Sequence, residues 1–248
     1  MILLHHHVCP LNEIPAANER SELEGWPYTM EPERFEHQLK SLVNRGFSFV
    51  SMPEYVRRCE AGQLSWGTVT VTFDDGWLDN YEYAYPILKK MGVPATVFIV
   101  SGDIASIPPN RRMCDAQLRE LAGEGFTIGG HSRSHSNLTL LAKPDLQREI
   151  GGCKDDLEQR LGLAVDFFAY PGGRFNQAVV DATQDAGYTA ACSVLNGGVN
   201  GKESLFWLYR DTFSAPMNSI RDRIFLNPYA RKLLSMRAQK KLRAILCP

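Results

Sequence analysis

Two groups of side chains in this 248-residue sequence are of types that can do chemistry. They are the adjacent carboxylates Asp74-Asp75 ahead of Gly76, and His131 and His135, four residues apart behind Gly129-Gly130. One carboxylate and two imidazoles suit a borderline divalent cation such as Zn²⁺ and leave coordination positions open for water. Two carboxylates forced together repel unless a cation holds one of them ionised, which leaves the other to handle a proton. The pair alone is equally compatible with a plain Asp-Asp-Gly turn at a strand end. Two histidines at ligand spacing in the same chain shift the reading to a metal site with a spare base, and so to hydrolysis.

Thr68-Val69-Thr70-Val71-Thr72-Phe73 is β-branched and aromatic, which predicts a strand with the two carboxylates at its C-terminal end. Neighbouring side chains on a regular strand face opposite ways, so both reach one site only if the backbone bends after Phe73, with Gly76 supplying the freedom. His131 and His135 follow the strand-like Phe126-Thr127-Ile128, in a loop or in a first helical turn that would put both rings on one face. Other strand-like runs occupy residues 2–8, 47–51, 95–100, 167–169 and 189–193. Helical patterns lie over residues 31–45, 52–61, 84–91, 115–123, 143–161 and 177–186, several followed by a glycine stop. The alternation predicts an α/β fold, a parallel sheet with outer helices closed as a TIM-like barrel, whose C-terminal strand ends carry the site.

Thr72-Phe73-Asp74-Asp75-Gly76, His131-Ser132-Arg133-Ser134-His135 and Phe168-Ala169-Tyr170-Pro171-Gly172-Gly173 resemble, in order and separation, three motifs of the polysaccharide deacetylases. This is the NodB-homology, or carbohydrate esterase family 4, domain, and the resemblance runs from the first strand to about residue 215. It implies a distorted (β/α)7 barrel, with Asp75, His131 and His135 as metal ligands and Asp74 as general base. The ion would be divalent, zinc first, with cobalt, nickel, iron and manganese also compatible. Two departures stand out. The third motif has Ala169 where many members carry an arginine that supports the base, and the last histidine of the chain is His135, so the usual C-terminal acid histidine is missing.

The start of the chain, Met1-Ile2-Leu3-Leu4-His5-His6-His7-Val8, resembles the Tyr-His-x-Val segment of the branch that acts on poly-N-acetylglucosamine, in which the motif order is permuted. Aligned on Val8, His6 takes the acid position, with His5 next as a candidate; a chance cluster or a second metal site are the alternatives. Strand alternation separates His6 from His5 and His7. The resemblance then implies N-deacetylation of N-acetylhexosamine units, as in exopolysaccharide synthesis. Asp74 would take a proton from water and His6 would deliver one to the leaving amine. Tyr170, Pro171 and Gly172 are expected to line the acetyl pocket, with a backbone N–H near Tyr170 helping to hold the oxyanion. Trp77 is read as a sugar platform or a core residue. Trp207-Leu208-Tyr209-Arg210-Asp211 is read as a groove wall, a structural element, or the source of the ion pair that replaces the missing arginine. The same machinery acting on another amide or ester, such as an N-acyl sugar conjugate or a formamide, and a glycan-binding barrel without turnover are the rival functions.

Composition suits a single catalytic domain, residues 1–227: 44% hydrophobic residues supply one sizeable core. A net charge of -1 provides no global field for nucleic acid. No run reaches the roughly 18–20 apolar residues of a membrane span, and Met1 leads directly into the first strand without a leader pattern. The six cysteines are scattered without close pairs, which predicts reduced thiols and a cytoplasmic setting. Residues 228–248 contain Arg231, Lys232, Arg237, Lys240, Lys241 and Arg243 and no acidic residue. With Tyr229, Leu233, Met236, Leu242 and Ile245 they predict a basic amphipathic C-terminal helix, either docked on the barrel or contacting a membrane surface or partner. Residues 10–28, 101–110 and 196–201 are expected to be loops near the barrel mouth, the last of them a lid.

Overall fold

The structure, a computed structural model, describes residues 1–14, 28–102, 109–212 and 226–246. The parallel sheet has the order β1 (Ile2–His5), β5 (Thr68–Phe73), β6 (Ala95–Ile99), β7 (Thr127–Gly130), β8 (Phe167–Ala169) and β9 (Ala190–Cys192), with β4 (Ser48–Phe49) paired to the start of β5. Between the strands run α1 (Pro32–Asn44), α2 (Met52–Glu60), α3 (Tyr85–Met91), α4 (Asp115–Gly123), α5 (Lys143–Leu161) and α6 (Gln177–Asp185). This is the predicted alternation, and because every pairing is parallel the C-terminal strand ends form one rim.

The sheet curls into a distorted barrel whose two edges are joined by residues 208–211. Leu208 bridges Cys192 of β9 and Asp211 bridges Leu3 of β1. The bonds are real ladder bonds: Leu208 N donates to Ala191 O at 2.8 Å, and Asp211 N to Ile2 O at 2.8 Å. Arg210 lies inside this closing segment.

Alternation along the strands sorts the core into two layers. Val69, Val71 and Phe73 of β5 join the larger cluster between sheet and helices, with Phe35 and Leu39 of α1 and Ile150 and Leu157 of α5. A smaller cluster gathers Ile2, Phe98, Phe167, Ala169, Ala190, Cys192 and Leu208 with Met52, Tyr55, Val56 and Cys59 of α2. Thr68, Thr70 and Thr72, alternating with the valines, are completely buried, so β5 is covered on both faces as a central parallel strand should be.

Several sequence expectations are modified. The run 2–8 is one strand in pattern but two in space: it breaks at His6, and β2 (His7–Val8) pairs with β3 (Thr29–Met30) in a separate two-stranded sheet. A π-turn, Asn80–Ala84, precedes α3. The segment 196–201 is no free lid, because Asn200 exchanges hydrogen bonds with the Tyr209 backbone at 2.8 and 3.0 Å and Gly197 N donates to Asp211 at 3.0 Å. Residues 15–27 and 103–108 of the other two expected loops lie outside the described residues.

The basic tail forms α7 (Pro228–Leu246), with Ser235 and Ala238 buried and Leu242, Ile245 and Leu246 against the larger core cluster. Arg237, Lys240, Lys241 and Arg243 face outward. Met236, expected on the apolar face, is 67% exposed instead, since it falls about a third to a half of a turn from Ala238, Leu242 and Ile245. The side chains of Tyr229, Arg231, Lys232 and Leu233 lie outside the described residues. Among the described residues no helix is long and apolar enough to cross a membrane, and Cys9, Cys59, Cys114, Cys153 and Cys192 are all free thiols.

Gly162 ends α5 in the left-handed region, φ 71°, with open space where a Cβ would stand. Gly162→Ala therefore adds backbone strain alone. A loss of about 1–2 kcal/mol is expected in urea unfolding, with substrate turnover unchanged.

Candidate active site

The bend required after Phe73 is built into Asp75 itself, which adopts φ 73°, followed by Gly76 at φ 78°. Asp74 N still donates to His5 O at 3.0 Å, so Asp74 ends the ladder and Asp75 turns back toward the same space. The other non-glycine residues with positive φ among the described residues are Ser132 and His135, in the histidine motif. Strained backbone is confined to the two chemical motifs, as at functional sites generally. No helix brings the histidines together. Their loop is pinned by Ser132 Oγ, which accepts from His135 N at 2.9 Å, and by Glu149 of α5, which accepts from Ser134 N at 2.9 Å.

Asp75, His131 and His135 each offer one ligand atom, all within 4.8 Å of one another. Asp75 Oδ1 lies 3.3 Å from His131 Nε2 and 3.4 Å from His135 Nε2. His131 Nδ1 donates to Ala169 O at 2.7 Å, which turns the Nε2 lone pair to the site, and Trp77 Nε1 donates to Asp75 Oδ2 at 3.0 Å, which leaves Oδ1 facing inward. Lone pairs on carboxylate and imidazole then point at one another, an arrangement that demands a proton or a cation between them. The protonation tendencies agree. Burial opposes a charge on His131, but its hydrogen bond with Asp75 and the charge of Asp74 outweigh that and raise its pKa. Burial, with the neighbouring His131, takes His135 down to about 4. A divalent ion with Asp and His ligands and open positions fits this donor set.

Asp74 is 2% exposed beside the triad, and Arg210 grips it with two hydrogen bonds, Nη1 to Oδ1 at 2.6 Å and Nη2 to Oδ2 at 2.7 Å. Burial pushes the Asp74 pKa up, yet the guanidinium, together with His131 and His6, more than reverses this and the carboxyl stays ionised below its usual range. Arg210 is itself buried, donating from Nε to Ser193 O at 2.8 Å. The cation missing from the third motif thus comes from the segment that closes the barrel.

The three N-terminal histidines go to three places. His5 packs against Phe35 and Phe73, and burial lowers its pKa to about 3. His7 is fully buried, donates to Asp79 at 2.5 Å and lies 4.4 Å from the Trp77 ring. His6 turns into a cavity of about 330 Å³ shared with Asp74, Asp75, His131 and His135, and stacks on the exposed ring of Tyr28 at 5.1 Å. Burial lowers its pKa, while Asp74 and Asp75 pull the other way.

Pro171 and Gly172 line this cavity as expected. Tyr170 does not: it is completely buried, stacked on Phe175, its hydroxyl donating to Phe206 O at 2.8 Å. Its backbone N–H is spent on Cys192 O in the sheet and cannot serve an oxyanion. Trp77 is 1% exposed and lies behind Asp75, so it orients that carboxylate and offers no platform for sugar. Tyr28, Ser136, Asn137, Arg174 and Val194 complete the wall. None of these five was legible as a site residue, because their loops carry no chemical pattern; Tyr28 alone fell in a stretch marked as a mouth loop.

Removing one partner of a buried ion pair strands the other, so Arg210→Ala should cost about 3–5 kcal/mol in urea unfolding. Adding Asp74→Asn to that variant should restore part of the loss, which a double-mutant cycle measures. Arg210→Lys keeps the charge but loses the fork, and should fall between the two in stability.

The sequence profile of the family described as polysaccharide deacetylase matches residues 61–191, a span that holds all three motifs but neither His6 nor Arg210. Among curated relatives, YxkH of Bacillus subtilis is 29% identical over 185 residues, covering 74% of this chain and 65% of YxkH. The poly-β-1,6-N-acetyl-D-glucosamine N-deacetylase of Staphylococcus aureus is 26% identical over 196 residues, 74% of this chain and 67% of the relative. This chain therefore spans about two thirds of the length of either relative. Among solved structures, the Streptococcus pyogenes deacetylase PplD in complex with acetate superposes with a TM-score of 0.76 at 25% identity, covering 92% of this chain and 97% of PplD. IcaB from Ammonifex degensii shares the fold, with a TM-score of 0.71 at 24% identity and 96% of each chain covered. With the profile matching more than half of its length and the motifs converging on one cavity, the chain belongs to the polysaccharide deacetylase family.

Proposed function

We propose that this protein is a divalent-metal amidohydrolase, zinc being the first choice of ion, that removes acetyl groups from N-acetylhexosamine units of a glycan. The observation that carries this reading is the juxtaposition, in one cavity, of the Asp75, His131 and His135 donors with an ionised, unshared carboxylate on Asp74 and an imidazole on His6. The names of the relatives support the substrate class, and a net charge of -1 places no barrier before a neutral sugar polymer. In this reading residues 1–227 form the catalytic unit and α7 is an appended basic helix.

Each residue has a distinct task. Asp75, His131 and His135 would hold the cation, which supplies Lewis-acid polarisation of the acetyl carbonyl and lowers the pKa of water at the site. Asp74, kept ionised and aimed by the Arg210 fork, accepts the proton of the attacking water. An amine leaves a tetrahedral centre only after gaining a proton, and His6 delivers it. Burial weakens the hold of His6 on that proton, while the nearby carboxylates help it acquire one. Acetate and a free amino sugar result.

Asp75→Ala and His135→Ala should abolish both zinc binding by titration calorimetry and acetate release. Asp74→Asn should still bind zinc with acetate release down about 100-fold or more. Turnover retained in Asp74→Asn would remove it as the base. Chelator treatment followed by readdition of single metals, across a panel of N-acetylated oligosaccharides, N-acyl sugar conjugates and formamides, identifies ion and substrate together.

A further inference from the structure

We propose that Asp79 and Asn80, at the start of the π-turn after the acidic motif, are positioning residues for the His6 proton donor. This rests on the reading of His6 given above. At His6 the chain has left the barrel ladder and not yet entered the pairing of β2 with β3, so its carbonyl has no strand partner to fix it. Asn80 supplies one: its Nδ2 donates to His6 O at 2.8 Å and to Asp79 Oδ1 at 2.8 Å. Asp79 takes the next two groups of the chain, Val8 N at 3.2 Å and His7 Nδ1 at 2.5 Å. The turn therefore clamps the backbone just after the His6 Cα, the ladder bond from Asp74 N to His5 O at 3.0 Å holds it just before, and the ring between them is left to project into the cavity.

Two features make this more than filling. Asn80 is 3% exposed, yet its Oδ1 is buried without a hydrogen-bond partner among the described residues. Burying an amide with half its capacity unused is unfavourable compared with an apolar side chain of the same size, so the donor half must be what the position requires. Asp79 caps and Asn80 opens a π-turn, a local geometry that recurs at functional sites. His7, held by Asp79, also packs on Trp77 and so supports the hydrogen bond that Trp77 gives to Asp75.

The test compares an amide with an ester. The amine of an N-acetyl sugar needs a proton to depart, whereas the phenolate of 4-nitrophenyl acetate leaves without one, so a misplaced acid lowers the amide-to-ester ratio and general damage to the site lowers both rates alike. In the full chain loaded with zinc, Asn80→Ala and Asn80→Asp should each reduce that ratio by about ten-fold or more, through kcat with little change in KM. The Asn80→Ala/His6→Ala double variant should show the same ratio as His6→Ala alone. Asn80→Asp keeps the shape of the side chain should Asn80→Ala fail to fold, and thermal melting checks both. If His6→Ala lowers the ratio but neither Asn80 variant does, or if the two effects add, the positioning role is overturned while the His6 reading stands. An unchanged ratio in His6→Ala overturns the acid assignment and this inference with it.

Discussion

A buried guanidinium locked to a buried carboxylate holds this molecule's chemistry and its architecture together. Arg210 and Asp74 come from distant parts of the chain and meet in fork geometry deep in the barrel. Isolated, either charge would be costly there. The cost is offset because every side of the guanidinium is used: Asp74 takes two donors, Ser193 O takes Nε, and the ring of Phe98 lies 5.7 Å from its carbon. Arg210 reaches Asp74 only because residues 208–211 bridge β9 to β1. Barrel closure and the charge state of Asp74 are therefore one event, and a chain that failed to close would also lose the guanidinium that holds this carboxylate ionised.

Neighbouring carboxylates of the same type are driven to different roles by what each is bonded to. Asp74 sees an arginine and is held ionised without a shared ligand position. Asp75 has one oxygen occupied by the Trp77 indole and the other facing two imidazole nitrogens. The positive φ of Asp75 is what allows consecutive residues to serve one cavity, and the fixed network around it supplies the energy for that strained backbone. Ala169, the residue that departs from the usual third motif, still contributes through its carbonyl, which sets the tautomer of His131.

The three consecutive histidines follow the same logic of environment over identity. His5 is an apolar-packed ring, His7 a buried partner of Asp79, and His6 a half-buried ring in the cavity. Strand alternation alone would separate His6 from its neighbours, but it is the break between β1 and β2, stabilised by the Asp79–Asn80 turn, that gives the separation a fixed geometry.

The alternating α/β pattern, the helix limits and the grouping of an acidic pair with His131 and His135 were legible in the sequence because they depend on local spacing, whereas the choice of Asp75 over Asp74 as candidate ligand came from the family resemblance. Hydrophobic period, glycine stops and motif chemistry are written within a few residues of each other: α4 and α5 begin and end at the predicted residues. Arg210 could be marked as a possible cation source and no more, since its meeting with Asp74 depends on the closure of the sheet. Trp77 and Tyr170 show the reverse case. Next to chemical motifs, Tyr170 reads as a substrate contact and Trp77 as either a sugar platform or a core residue, but burial is a property of the packed molecule, and packing placed both behind the cavity wall. The residue types fixed which chemistry was available, whereas tertiary structure decided which groups share a cavity, because only long-range contact can bring an N-terminal histidine, a mid-chain triad and a late arginine into the same low-dielectric space.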